Sequence, residues 1–108
     1  MTFQAAAQRT VDSLFTKLGV EAVYTPNGGS AVDVTVIRRH PDEILDVAES
    51  RIHTETSLFE VRASEIAAPA ADDQISVGDS TFVVKGEPLK DQHGLVWRLE
   101  AYPMEEIL

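Results

Sequence analysis

The sequence predicts a mainly β, α+β chain: a small antiparallel β-barrel or sandwich with an N-terminal helix and a long polar loop. Three observations lead there. Apolar residues recur every three or four positions as far as Leu18, and then the period switches to two. Beyond the switch, short alternating runs are separated by Gly, Pro, Asn and Asp at intervals of about 8–12 residues, the rhythm of sandwiches and small barrels. The third observation is length: 108 residues suit one domain, 1–108, with one core and little room for a deep enclosed pocket. The reading places a helix at 2–18, a barrel over 20–101 with a loop at 40–57, and a tail at 103–108.

In the helix, Phe3, Ala7, Val11, Leu14, Phe15 and Leu18 form one apolar stripe, with Gln8 and Asp12 away from it. Thr2 is a suitable N-cap, and Gly19 stands where a left-handed C′ residue is usual. The stripe packs on the sheet, or part of it docks on a neighbouring subunit. After Gly19, Val20, Ala22 and Tyr24 alternate with polar residues as a short strand. Pro26-Asn27-Gly28-Gly29-Ser30 is a turn, and Val32, Val34, Val36 and Ile37 carry the returning strand to Arg38-Arg39. These two strands make the first hairpin.

From His40 to Ser57 the pattern weakens. Pro41-Asp42-Glu43 is compatible with the start of a short helix, with Ile44, Leu45, Val47 and Ala48 on its apolar side. Residues 49–57 then hold a single large apolar residue, Ile52, so a protruding loop is predicted. Alternation returns over Leu58–Arg62, followed by a single helical turn at Ala63–Ile66 and a low-complexity link at Ala67–Asp73. Three strands close the sheet: Gln74–Val77, then Thr81–Lys85 after the Gly78-Asp79 turn, then Leu95–Ala101 after the turn Asp91–Gly94. Pro103 ends the last of them.

Little in this framework points to chemistry. Nine Lys and Arg against 18 Asp and Glu give a net charge of −9, which repels nucleic acid on average. The basic candidates, Arg38-Arg39, Lys85 and Lys90, are too thin for sequence-specific binding. No cysteine is present, which removes thiol nucleophiles, disulfides and zinc–thiolate sites together. No apolar run approaches the roughly 20 residues that cross a bilayer, and no signal-peptide pattern opens the sequence. The expected compartment is the cytoplasm, or a particle assembled there.

His40, His53 and His93 lack metal-ligand spacing and read as exposed loop histidines. Asp42, Asp46 and Glu49 would share one helix face, the pattern of a solvated surface on an acidic protein. Asn27-Gly28-Gly29-Ser30 is followed by a strand and not a helix, so it is a turn and not a phosphate loop. The serines show no G-x-S-x-G elbow, and Trp97 reads as core. No catalytic, cofactor-binding or metal-binding residue is predicted, and no cofactor. The interface candidates are Asp42, Glu43, Ile44, Leu45, Arg51, Ile52 and His53 in the loop, with Met104, Ile107 and Leu108 in the tail.

The residues from Leu58 to Leu99 carry a resemblance. Leu58-Phe59-Glu60-Val61-Arg62 ends in Arg before the acidic turn at Glu65-Ile66. The hairpin Asp73-Gln74-Ile75-Ser76-Val77-Gly78-Asp79-Ser80-Thr81-Phe82-Val83-Val84 follows, and Asp91-Gln92-His93-Gly94 leads to the Trp-bearing strand Leu95–Leu99. This order resembles the head–tail joining (head completion, or stopper) proteins of lambda-type tailed phages. An early helix, a Val-rich strand and a polar loop containing Pro41-Asp42-Glu43 occur in the same order; the N-terminus has no residue-level match.

The resemblance implies a small β-barrel that is a virion protein of the head–tail neck, assembled in the host cytoplasm. It implies a ring, hexamer or dodecamer, joining the DNA-filled head to the tail and helping to retain the genome. The partners would be other copies of the chain, a portal or adaptor protein above and a tail terminator or tail tube protein below. DNA would pass through the lumen without specific binding. A tail terminator or a small acidic protein-binding barrel are the alternatives; phage, prophage and gene transfer agent are equally compatible sources.

Overall fold

The computed structural model describes residues 3–39 and 56–104. Helix α1 (Phe3–Leu18) is followed by six strands: β1 (Val20–Thr25), β2 (Val32–Arg39), β3 (Ser57–Arg62), β4 (Gln74–Val77), β5 (Ser80–Lys90) and β6 (Val96–Pro103). They close into an antiparallel barrel in the order β1-β2-β3-β6-β5-β4. Closure leaves no unpaired sheet edge, the feature by which strands of separate chains would otherwise add to one another. Alternation sets the inside: Ala22, Tyr24, Val34, Val36, Phe59, Val61, Ile75, Phe82, Val84, Leu99 and Ala101 form the core. Trp97 packs against that core while remaining half-buried, so it fills only its margin.

The helix lies on the outer face of the barrel against β2. It is turned away from the expected orientation. Phe15 is the one fully buried helix residue, whereas Phe3, Leu14 and Leu18 are 68 %, 43 % and 57 % exposed. The polar Gln8 and Asp12, expected off the packing side, are half-buried on it. The reason is Arg62, an outward residue of β3, whose guanidinium lies over the Phe15 ring at 5.2 Å and bonds Asp12 Oδ1 at 2.9 Å. A half-buried cation on the sheet is paired by an acid on the helix, and the apolar stripe turns partly sideways to supply it.

Gly19 also differs from expectation. Glycines with positive φ are Gly28, Gly78, Gly86 and Gly94, so Gly19 is not a left-handed cap. Its amide donates to the Phe15 carbonyl at 2.9 Å, and a Cβ there would stand 2.5 Å from that carbonyl oxygen and 2.5 Å from Thr35 Cγ2. The glycine is needed for closeness: α1 runs into β1 with no linker, pressed against β2.

Three boundaries move. β3 begins at Ser57, which is buried, so the connection between β2 and β3 is shorter than the predicted loop. β5 runs on through Gly86-Glu87-Pro88-Leu89 to Lys90, past the predicted end at Lys85. The irregularity in its pairing with β6 between Lys85 and Leu89 absorbs the proline, and Gly86 at φ 79° makes the bend. β6 begins at Val96 and continues to Pro103. The single turn after Arg62 is present, closed by the Ile66 amide on the Arg62 carbonyl at 3.0 Å.

Candidate functional site at one end of the barrel

Strand register shows which segments emerge together. Arg39 faces Leu58 across β2 and β3, and Ser57 faces Ala101 across β3 and β6. The end of β2, the start of β3 and the end of β6 are therefore neighbours at one end of the barrel. Residues 40–56 and the chain beyond Pro103 both leave from this end. The two segments proposed as interfaces, far apart in sequence, are rooted side by side. Met104 is half-buried next to Pro103. Asp42, Glu43, Ile44, Leu45, Arg51, Ile52, His53, Ile107 and Leu108 lie outside the described residues, as do Thr2, His40, Asp46 and Glu49.

Arg38, itself exposed, lies across the barrel mouth at this end. It shares the inward parity of Val34 and Val36, and its guanidinium stands 4.6 Å from the Phe82 ring centre and 5.8 Å from that of Phe59. It also donates to Ser57 Oγ at 3.3 Å. The buried Ser57 is thereby satisfied, and a cation faces outward where the two segments leave. Arg38 had been read as half of a thin basic pair; its pairing with rings 20 or more positions away left no trace in the local sequence.

The opposite end is sealed by Asp73, which is 3 % exposed. Its carboxylate accepts from the Tyr24 hydroxyl, from the Asn27 amide at 2.8 Å and from the Ala70 amide at 2.9 Å. Burial, reinforced by the Asp73 hydrogen bond and charge, pushes the Tyr24 hydroxyl far above the usual tyrosine range. The link over Ala67–Asp73, read as featureless, is a lid stitched to β5 by the Asp72 amide on the Val84 carbonyl and the Val84 amide on the Asp73 carbonyl. This network is structural: every lone pair it uses is committed to the chain itself.

Arg62 is the second hub that the sequence did not reveal. Besides Asp12 it bonds Glu65 Oε1 at 3.1 Å, while Glu65 accepts the Thr35 amide at 3.1 Å. The hydrogen bond from Arg62, helped by one from Gln8, holds the Asp12 carboxyl below the usual carboxylate range. The sequence places Arg62 before the acidic turn that holds Glu65, but its reach to Asp12 and Phe15 on α1 leaves no local mark. At the turn between β5 and β6, burial works against the Asp91 charge, but the Val96 and Leu95 amides hold its carboxyl below the usual range. His93, expected as an exposed loop residue, is exposed, with its ring 5.3 Å from that of Phe3.

Among the described residues, no three His, Asp or Glu side chains cluster closely enough to hold a metal ion. No described helix is long and apolar enough to cross a membrane. The barrel is filled by its own core, and the chain on either side of the undescribed segments meets it at one end. No curated protein matches the chain. A family model described as the phage head-tail attachment protein matches residues 3–101, nearly the full length of barrel and helix together. A lambda-type head–tail joining resemblance read from the β-hairpin and Trp strand and a match extending back into α1 agree: the chain belongs to the phage head-tail attachment family, structural virion proteins of the head–tail interface.

Proposed function

We propose that this chain is a ring-forming joint, binding a portal or adaptor protein on the head side and a tail terminator or tail tube protein on the other. In that position it helps retain the packaged genome. The observation that carries this reading is the common root of residues 40–56 and the tail at one barrel end, given the family to which the chain belongs. Two segments leaving one end give each subunit an axial contact surface, while the barrel wall remains for its neighbours in a ring. The charge supports it as well. A net −9 per subunit, summed over a ring, makes a passage that does not grip phosphates. The same charge opposes association of free subunits, so assembly should need the surface of the head as a template.

Electron microscopy of particles assembled with and without the protein, with DNA content measured, tests the reading. Its absence should give DNA-filled heads that leak or lack tails. Normal, tailed, infectious particles would overturn it.

A further inference from the structure

Two patches on the barrel wall are unlike one another. On the outer face of β1 and β2, between α1 and β4, a depression of about 490 Å³ is lined by Glu21, Asp33, Glu65, Val23 and Ser76, with no Lys or Arg. Register puts Val23 beside Asp33 on one side and Ser76 on the other, and Val23 is 37 % exposed. Glu65 is held by Arg62, but Glu21 and Asp33 make no ion pair with any described residue.

Around the barrel, a groove of about 430 Å³ runs over β6 between α1 and β5. Leu14, Leu89 and Val96 form its apolar floor, and Leu89 is 63 % exposed. Arg39, Lys90 and Arg98 stand along it. The first and last share a single carboxylate, Glu60, at 3.3 and 3.7 Å, and Lys90 lies 4.9 Å over the Trp97 ring with no acid partner among the described residues. Asp91, also at the groove, is committed to the Leu95 and Val96 amides. On a chain of charge −9, this is a local excess of cations around an apolar floor.

In the closed order β1-β2-β3-β6-β5-β4, strand β6 is three places from β1 in either direction. Helix α1 covers the wall between them on the β2 side and leaves both patches open. We infer that the two patches are the two halves of one contact: the Arg39–Lys90–Arg98 groove of one copy receives the Glu21–Val23–Asp33 face of the next. This inference rests on the ring reading above and supplies its lateral interface. Each face has an exposed aliphatic centre, Val23 on one and Leu89 on the other, and the flanking charges are opposite. Because the faces differ and lie on different sides of the barrel, the contact is heterologous and repeats from copy to copy. A repeating contact of this kind forms a ring where the rotation from copy to copy closes and a filament where it does not, whereas a self-matching face would stop at a dimer. It also places association on side chains, since the barrel has no free edge to offer.

The chain has no cysteine, so a Val23→Cys, Leu89→Cys double variant of the full chain carries its only thiols on the two faces. With a short bismaleimide, applied to purified particles, the double variant should give a ladder of covalent oligomers. Each single variant should stay monomeric. Adding Arg39→Glu and Arg98→Glu should cut the ladder about tenfold or more, and further adding Glu21→Lys and Asp33→Lys should restore it. All substituted positions are on the wall, and circular dichroism of each variant checks the fold. A dimer from Leu89→Cys alone would overturn the heterologous contact. Particles whose necks hold several copies yet give no ladder would overturn the face assignment and leave the ring reading standing. One copy per neck would remove both.

Discussion

Asp73 gathers three hydrogen bonds on one buried carboxylate. Replacing it with Ala strands the Tyr24 hydroxyl and the Asn27 and Ala70 amides together. The expected loss is about 3 kcal/mol, read by urea denaturation, whereas Tyr24→Phe leaves both amide bonds in place and should cost about 1 kcal/mol. The two variants also differ with pH. Tyr24 has a raised pKa in the folded state, so the stability its neutral hydroxyl contributes is complete below the unfolded value of about 10 and is lost above it. The gap between wild type and Tyr24→Phe should therefore be constant from pH 6 to 9 and narrow beyond about 10. Asp12 behaves in the opposite sense. Its lowered pKa means the unfolded chain takes up the proton first, so the contribution is present above about pH 4 and disappears as pH falls further. Asp12 is 46 % exposed, so Asp12→Asn should cost only about 0.5 kcal/mol at pH 7, with a flatter denaturation profile between pH 5 and 3.

At the level of elements, the helix and strands were legible because burial imposes a period on the sequence. Val34 and Val36 on β2, Phe59 and Val61 on β3, and Leu99 and Ala101 on β6 all point inward as their alternation predicts. What escaped was every feature set by a partner on another element. The helix stripe gave the right span of α1 but only part of its packing face: Ala7, Val11 and Phe15 face the barrel while Leu14 and Leu18 turn outward, a rotation tied to Arg62, 50 positions from Asp12. The predicted strand stops at Lys85 because a run interrupted by Gly86 and Pro88 normally ends; the bulge against β6 makes them part of β5. Gly19 looked like a cap from its place in the chain, whereas its role is set by Thr35 and the Phe15 carbonyl. Gly19→Ala should lose about 2 kcal/mol, lowering the melting temperature by about 10 °C, because a backbone oxygen stands on one side of the added methyl and cannot rotate away. A cap glycine replaced by Ala would also lose stability, but its amide–carbonyl bond to Phe15 would survive. Hydrogen exchange at the Gly19 amide distinguishes the two, with protection lost only where α1 is pushed off β2.

For the molecule as a whole, the candidate docking end was legible in composition but not in position. The polar stretch after His40 and the apolar tail stood out as unlike the rest; that they share a barrel end follows from the register of β2, β3 and β6, which no local pattern encodes. The pairing of Arg39 with Leu58 also makes a clean test possible. Deleting residues 42–55 leaves His40, Pro41 and Thr56 to bridge adjacent antiparallel strands, a hairpin-sized connection. Shortening the loop lowers its closure entropy by about 1 kcal/mol, so the variant should melt no lower than wild type. It should fail to join heads to tails; joining at the normal yield would show that the loop has no part in docking. One further consequence comes from the two barrel ends. Arg38 lies across one mouth of the barrel, Asp73 and Tyr24 close the other, and apolar side chains, Phe59 and Phe82 among them, occupy the space between. The fold itself has no bore, so a conduit can exist only in the space that several copies surround. In the proposed ring, its diameter would follow from how many subunits the head accepts, and the same chain could serve a wider or narrower opening without altering a single core residue.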